Sequence, residues 1–333
     1  MLRYVIIGRL SRDTILTAEG KPYLDKPGGG LLYAAAGAAV WENGIGLVGR
    51  VGEDYPQDWI KQVVQFGIDT QGIRYLHDSL DLRAFYAYVD ADTVQTDNPV
   101  SHFARLGLTF PKLMLGYTAG VQTVDSRFQQ TPLTIRHNDL PSEYLDVSAA
   151  HLCPLDFLSH SLLPPTLRQG RVTTITMDPS PGYMDPIYWD HIPAVVNGIT
   201  AFLTSEAKLR TLFHGRSDNL WEMAETIASY GCEVVVVKRG SRGQLLYERN
   251  RQGKWQIPAY PARVVDPTGA GQAYCGGFLS GYRSTYDALE GALAGNISAS
   301  LAVEGLGAFY ALGALPGLAR YRMEALREMA RKV

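Results

Sequence analysis

A short glycine-rich segment near the C-terminal end combines residue types that could bind an anion. It runs Asp266-Pro-Thr-Gly-Ala-Gly-Gln272, between a short apolar run and a stretch of small residues compatible with a helix. Glycines at 269 and 271 would let the backbone approach a ligand, and the N–H groups and dipole of a helix start favour negative charge. Gly269, Ala270 and Gly271 therefore predict a hole of phosphate size. A plain strand-to-helix turn that needs glycine is an equal alternative, because isolated glycine-rich turns are weak signals.

Two familiar nucleotide-binding patterns do not fit this segment. A Walker A loop requires Lys and then Ser or Thr after its last glycine, whereas Gln272 follows Gly271. A dinucleotide fingerprint requires Gly or Ala where this chain has Tyr274, and the acidic residue about 20 positions further on, Glu290, falls within a predicted helix. The segment is therefore neither a P-loop nor a good dinucleotide turn.

The elements around this segment follow an alternating pattern. Short apolar runs alternate with longer amphipathic stretches, which is typical of βαβ units around a mostly parallel sheet. Residues 4–7 predict a first buried strand, and the valines of 234–237 predict a central strand covered on both faces. Two segments rich in polar and aromatic residues, about 10–27 and 82–105, break the alternation and predict a small β insertion. We predict one α/β domain over residues 1–333 with these insertions.

Composition and charge exclude several classes of protein. The 333 residues hold 31 Lys and Arg against 33 Asp and Glu, so the basic excess of a nucleic-acid binder is absent. Three scattered cysteines, without C-x-x-C spacing, predict neither a disulfide framework nor a zinc site and fit a reducing compartment. No stretch reaches the roughly 18 apolar residues of a membrane span. We expect a cytoplasmic protein without nucleic-acid or membrane partners.

Several motifs together carry a family resemblance. The segment 266–278 resembles the C-terminal signature of the ribokinase-like, or pfkB, carbohydrate kinases, usually D-T-T-G-A-G-D followed by a helix of small residues. Gly28 and Gly29, the Ala-rich stretch after them, and the sequence 48–54 are similar to the N-terminal signature of that family. Three further stretches fall where the family has matching features: residues 6–13, 176–179 and 237–243. The resemblance spans nearly the whole chain in the correct order.

The resemblance implies a ribokinase-like three-layer α/β/α sandwich with a mostly parallel central sheet and a small β lid. It implies ATP near the C-terminal signature, a sugar-like small molecule beneath the lid, and phosphoryl transfer through positioning and charge stabilisation with Mg²⁺. A monovalent cation is a further cofactor that this pattern allows. The implied substrate contacts are Asp13, Gly28, Gly29 and Tyr33, and the implied nucleotide contacts are Lys238, Gly240, Asp266 and Thr268. Plain turns and a solvated carboxylate at 13 are the alternatives.

Three positions depart from the family pattern. Gln272 stands where the family has the aspartate that takes the proton from the accepting hydroxyl. A carboxamide can orient a hydroxyl but cannot act as a general base, whose loss typically costs about 10²–10⁴-fold in rate. Tyr33 replaces the sugar-contacting asparagine, and no N-x-x-E element for Mg²⁺ and phosphate occurs over 203–209. Glu206 is the remaining metal candidate, or an ordinary residue of a first helical turn.

The sequence therefore predicts an ATP-dependent sugar kinase, a phosphotransferase that uses a hydroxyl of a sugar or related small molecule. Its rate would be impaired because Gln272 occupies the catalytic position, unless Asp266 substitutes as the base. The alternative is a non-catalytic pseudokinase that binds a nucleotide or a sugar-like ligand. A homodimer that pairs lid edges would cover exposed strands.

Overall fold

The computed structural model describes residues 2–118 and 125–333. The strands of this part of the chain are β1 (Tyr4–Ile7), β2 (Ser11–Leu16), β3 (Pro22–Gly28), β4 (Ile45–Val51), β5 (Asp69–Tyr75), β6 (Arg83–Tyr88), β7 (Val94–Gln95), β8 (Ala149–Leu152), β9 (Thr174–Met177), β10 (Ala201–Ser205), β11 (Val234–Lys238), β12 (Gln244–Glu248), β13 (Gly253–Ile257) and β14 (Arg331–Lys332). They form one large and one small sheet.

The α-helices of the same ranges lie between these strands and after them. They are α1 (Gly30–Ala39), α2 (Gln57–Gln65), α3 (Pro99–Arg105), α4 (Phe157–Arg168), α5 (Ile192–Val196), α6 (Glu206–Leu212), α7 (Leu220–Ser229), α8 (Ala270–Thr285), α9 (Ala288–Ala302) and α10 (Leu318–Met329). None of the helices in the described ranges is long and apolar enough to cross a membrane.

The large sheet has ten strands in the order β14-β13-β12-β11-β10-β9-β8-β1-β4-β5. All neighbours from β11 to β5 pair in parallel, and β12, β13 and β14 extend the sheet in antiparallel fashion. The strands β1 and β11 are central because their continuous apolar runs can be buried on both faces. This confirms the mostly parallel central sheet.

The two faces of the large sheet carry separate apolar layers. Along β1, Val5 and Ile7 belong to one core, together with residues of α4, α6 and α7. Tyr4 and Ile6 point to the opposite face and pack with residues of α1. Alternation of this kind is what a strand between two helical layers requires. The three-layer α/β/α sandwich is confirmed.

The small sheet has the strand order β3-β2-β6-β7 and forms the expected lid. One of its faces packs on α3, where Phe85 and Ala87 of β6 join Phe103 in an apolar cluster. Tyr86 and Tyr88 alternate with these residues and point to the other face, as in any strand. Its strands lie between residues 11 and 95. The limits of a single domain with two insertions stay a prediction.

Candidate active site

The predicted anion hole lies at the start of helix α8. Gly269 caps the helix with φ of 74°, a left-handed conformation that glycine adopts without strain. The turn before it is fixed by Asp266, whose Oδ1 accepts the backbone N–H of Thr268 at 2.9 Å. Burial raises the pKa of the Asp266 carboxyl. This carboxylate therefore stabilises the turn that precedes the 16-residue helix α8.

Gln272 is held in one orientation by a buried carboxylate. Its Nε2 donates to Oδ2 of Asp178 at 2.7 Å. Since a carboxylate can only accept, the amide nitrogen must face Asp178 and the carbonyl oxygen must face away. That oxygen, Oε1, is buried and has no hydrogen-bond partner among the described residues. It lies 3.4 Å from the point where a Cβ at Gly30 would stand, so glycine there leaves room beside it.

Asp178 forms ion pairs with two lysines, Lys208 of helix α6 and Lys238 at the end of strand β11. Lys208 Nζ lies 2.7 Å from Oδ1 and Lys238 Nζ lies 2.8 Å from Oδ2. Burial alone would raise the pKa of Asp178, but the two ammonium groups outweigh it and hold this pKa well below its usual range. Asp178 is therefore ionised at neutral pH, which keeps the Gln272 amide oriented.

Three residues predicted to contact the substrate, Asp13, Gly28 and Gly29, lie together. Oδ1 of Asp13 accepts from Ser11, while its buried Oδ2 has no partner among the described residues. Burial, with a smaller contribution from the charge of Asp266, raises the pKa of Asp13 to about 7. A Cβ at Gly28 would overlap this carboxylate, and Gly29 has φ of 94°. Both glycines are therefore required by the turn that precedes α1.

Tyr33, in the second turn of α1, fills space above the anion hole. Its ring occupies the place where a Cβ at Gly269 would begin. Its hydroxyl is buried and has no partner in the described part of the chain, and burial raises the pKa of this phenol well above its usual value. The lid reaches the same place, since Tyr88 Oη accepts a hydrogen bond from Thr268 at 3.0 Å.

A cavity of about 460 Å³ opens on the other side of the start of α8. Four of the predicted site residues line it: Lys238, Gly240, Ala270 and Gly271. Asp266 and Thr268, predicted as nucleotide contacts, are not among its lining residues, although Pro267 between them is. The volume and the adjoining anion hole suit a nucleotide. Lys238 also contacts the carbonyl oxygen of Gly271 at 3.1 Å, which joins this cavity to the Asp178 cluster.

The lid also contacts the cavity beside the start of α8. Asp92, in the turn between β6 and β7, accepts hydrogen bonds from the backbone N–H and the hydroxyl of Ser241 at 3.3 and 2.7 Å. A Cβ at Gly240 would stand 2.9 Å from the same carboxylate. Asp92 therefore lines the cavity from the lid side and connects the lid with the turn after β11.

Glu206 does not offer a free carboxylate to a metal. It pairs with Arg210 at 2.8 Å and with Arg242 at 2.7 Å. Partial burial would raise the pKa of Glu206, but the two guanidinium groups lower it overall. Both oxygens of Asp178 are taken by lysines, and residue 272 is neutral. Among the described residues no group of three His, Cys, Asp or Glu side chains could hold a metal ion. A protein-held Mg²⁺ set does not fit these residues.

A second cavity, of about 330 Å³, lies between the lid strand β3, helix α2 and the segment after α9. Four of its ten lining residues are aromatic, Tyr23, Trp59, Phe309 and Tyr310, and one is a cation, Lys26. Its lining includes Pro27, which is next to the Gly28 turn beside Asp13. Aromatic side chains of this kind form a surface on which a flat ring can stack.

Sequence reasoning missed three residues of this site. Asp178 was recognised only as part of a matching stretch, Lys208 was not considered, and Asp92 lies in a polar lid turn. The available signal was position: Asp178 follows directly after β9, and Lys208 lies in the first turn of α6, just after β10, at the carboxyl ends where ligands bind in parallel sheets. That rule identifies both as candidates without any family knowledge.

Comparisons with known proteins agree with this geometry. The family model described as pfkB family carbohydrate kinase matches residues 138–312, more than half of the 333 residues. The chain belongs to this family. Among curated relatives, a cytidine kinase of Thermococcus kodakarensis is 26% identical over 285 residues, which cover 85% of this chain and 89% of that protein.

Solved structures show the same fold. A nucleoside kinase of Burkholderia thailandensis in complex with ADP-inosine matches with a TM-score of 0.71 at 21% identity, over 97% of this chain and 95% of that one. A candidate ribokinase II of E. coli with ATP and Mg²⁺ matches with a TM-score of 0.70 at 18% identity, over 98% and 99%. The family match and the curated relative support a kinase function.

Proposed function

We propose that the chain is an ATP-dependent kinase that phosphorylates a hydroxyl of a small molecule bound beneath the lid. The observation that carries this proposal is a set of three buried polar atoms without partners among the described residues: Asp13 Oδ2, Tyr33 Oη and Gln272 Oε1. Tyr33 belongs to one short segment, formed by the Gly28 turn and the start of α1. Asp13 and Gln272 lie against the same segment. Buried polar groups are nearly always paired, so this set points to a ligand.

The chemistry of these atoms selects the ligand class. An amide carbonyl and an ionised carboxylate can only accept hydrogen bonds, whereas a protonated carboxyl and a phenol can donate or accept one. A molecule with several hydroxyl groups supplies matching donors to Asp13 and Gln272 and one further partner to Tyr33. A sugar or the ribose of a nucleoside has this pattern. Gln272 stands at the start of α8, so the hydroxyl it binds would face the anion hole.

The acceptor is more specifically a nucleoside. The aromatic cavity of Tyr23, Trp59, Phe309 and Tyr310 begins beside the Gly28 turn, where a base attached to the bound ribose would extend. Base stacking on aromatic rings stabilises binding by about 1–3 kcal/mol per base. The names of two similar proteins, a cytidine kinase and a nucleoside kinase, also support a nucleoside as the acceptor. A free sugar would leave this cavity unused.

The mechanism follows from what each group can do. ATP, with its base in the cavity lined by Gly240 and Gly271, supplies the phosphoryl group. The N–H groups at the start of α8 stabilise the charge that develops on the transferred group. Gln272 Oε1 accepts the hydrogen bond of the acceptor hydroxyl and orients its oxygen, while Asp178 holds the amide. Because the transition state is loose, the hydroxyl proton need not leave before transfer begins. The bond from the acceptor oxygen to phosphorus would form as the bond to ADP breaks, and the proton would pass to a phosphoryl oxygen of the product or to water, because Gln272 cannot accept it.

A pseudokinase is the second candidate, and Gln272 favours it. A kinase without a general base is expected to lose about 10²–10⁴-fold in rate. Its nucleotide cavity and acceptor site would then serve binding alone. The monovalent cation and the lid-mediated homodimer stay predictions.

An ADP-release assay over a panel of nucleosides, sugars and sugar phosphates, with ATP and Mg²⁺, tests the proposal. We expect release that depends on a nucleoside, above the hydrolysis seen without acceptor. The matched comparison for each nucleoside is its free ribose, which lacks the base. Calorimetric titration with ATP accompanies the assay. Folded protein that binds ATP but phosphorylates no panel member would support the pseudokinase and contradict the kinase.

A further inference from the structure

Two buried lysines share one carboxylate beside the acceptor site. Asp178 is 1% exposed, and the side chains of Lys208 and Lys238 are 16% and 11% exposed. In the described ranges Asp178 is the ion-pair partner of both lysines and no second carboxylate joins them. The three groups together carry one net positive charge largely away from water. A charge held largely away from water is stabilised by a counter-ion, so this cluster favours the binding of an anion.

The two lysines differ in the donors that remain. Lys238 Nζ has its three N–H groups directed to Asp178, to the Gly271 carbonyl at 3.1 Å and to Cys275 Sγ at 3.1 Å. Lys208 Nζ makes one hydrogen bond, to Asp178, among the described residues. An ammonium group has three donors, so Lys208 keeps two for a ligand. It is also the more exposed of the pair.

The place of Lys208 relative to the nucleotide cavity limits the ligand. Lys238 and Gly271 line that cavity, and Lys208 does not. Lys208 reaches the other oxygen of Asp178, so a nucleotide must extend past the cavity before it meets this ammonium. The terminal phosphate is the part of a nucleoside triphosphate that extends furthest from the base. Glu206 and Gln272, the residues at the family's metal-associated and catalytic positions, offer no free carboxylate there.

We propose that Lys208 binds the terminal phosphate of a nucleoside triphosphate and that Asp178 holds its ammonium group at that place. The positive charge at this end of the nucleotide is thus supplied by a side chain. Both free N–H donors of Lys208 pair with phosphate oxygens, and the net charge of the Asp178 cluster is neutralised when the nucleotide binds. This inference rests on the nucleotide-binding part of the proposed function and not on turnover.

Titration calorimetry with ADP and with ATP tests the assignment, on the native protein and on Lys208→Met at fixed Mg²⁺. Methionine keeps the length of the stem and removes the charge. We expect the variant to bind ATP about tenfold or more weakly and ADP less than about threefold more weakly, since hydrogen bonds to charged groups are the strong ones. Lys208→Arg, which keeps the charge, restores most of the ATP affinity. Lys61→Met, an exposed lysine of α2, is the matched control.

Equal weakening of ADP and ATP, or unchanged ATP affinity in folded Lys208→Met, would overturn the proposal. Thermal denaturation shows whether each variant is folded, and Lys208→Arg gives a second reading if Lys208→Met is not. The outcome is separate from that of the proposed function. ATP binding that depends on Lys208, without phosphorylation of any acceptor, contradicts the kinase and leaves this inference intact. If the native protein phosphorylates an acceptor and Lys208→Met keeps the native preference for ATP over ADP, the kinase is supported and this inference is overturned.

Discussion

The ring of Tyr33 lies directly against the backbone of Gly269, in the space that any side chain at 269 would need. The pair joins helix α1, which follows the acceptor-side glycines, to the first residue of the anion hole. The aromatic ring is accommodated because glycine stands opposite.

Gly269→Ala is expected to destabilise the protein by about 3 kcal/mol. A left-handed backbone costs an alanine about 1–2 kcal/mol, and overlap with a packed ring adds about 1–3 kcal/mol. Urea denaturation of the single variant measures the sum. In the double variant with Tyr33→Leu, the overlap part should be relieved and the loss should shrink toward the backbone part alone. Strictly additive effects of the two substitutions would show that the contact does not carry the strain.

Tyr33→Phe should change stability and binding in opposite directions. Without a ligand, the substitution removes a buried hydroxyl that has no partner among the described residues, which relieves a penalty of about 1–3 kcal/mol. With the acceptor bound, it removes a hydrogen bond. We therefore expect a higher melting temperature for the free protein and a higher KM for the acceptor. A melting temperature that falls would mean that the hydroxyl is already satisfied in the free protein.

Gln272→Asp should raise kcat about tenfold or more toward any acceptor that the native protein already uses, because it restores a group that can take the proton. The carboxylate of Asp178, which contacts residue 272, opposes this new charge, and the ammonium groups of Lys208 and Lys238 offset that repulsion. Gln272→Asn is the matched control, with the same size and no carboxylate. Steady-state assays of both variants make the comparison. Equal rates for the two would show that base catalysis does not limit this protein.

Asp13→Asn should change how stability depends on pH. The Asp13 carboxyl has a pKa of about 7 in the folded protein against 3.8 as the ordinary value, chiefly because it is buried. The folded state therefore holds a proton that the unfolded chain releases, and stability from this group is lost as pH rises from about 4 to 7, up to a value on the order of 4 kcal/mol. Asparagine does not titrate.

The melting temperature of Asp13→Asn relative to the native protein should accordingly increase between pH 4 and pH 7 and level off above it. Differential scanning calorimetry of both proteins at matched pH values measures this difference. Because other ionisable groups are common to both, they cancel. A difference that stays constant over this range would show that Asp13 is ionised throughout, with its charge stabilised by the surrounding protein.

Local patterns predicted the fold well and the site only in part. The apolar runs of β1 and β11, the glycine-rich turn and the polar, aromatic lid segments are local features, and each determines its own element. The Asp178 cluster is different. Its lysines stand 30 and 60 positions along the chain from Asp178, and Gln272 stands 94 positions from it. Only the order of the parallel strands brings them together.

Residue 272 illustrates the same limit. Its replacement of an aspartate was visible in the sequence, and the chemical consequence for base catalysis could be argued from the side chain alone. Which way the amide points depends on Asp178, and which polar atoms share the site depends on the approach of α1 to α8. Glu206 was a reasonable metal candidate by position, yet its two arginine partners become visible only in three dimensions.

The contact between Asp92 and Ser241 has a consequence for the order of events. The carboxylate of Asp92 links the lid, which covers the proposed acceptor site, to the turn beside the proposed nucleotide cavity. If the proposed function is correct, we expect this contact to couple the exchange of the two ligands. The lid should open more readily when the Asp92–Ser241 hydrogen bonds are broken, as by a nucleotide that competes for the Ser241 N–H. The residence time of one ligand would then depend on whether the other ligand is bound.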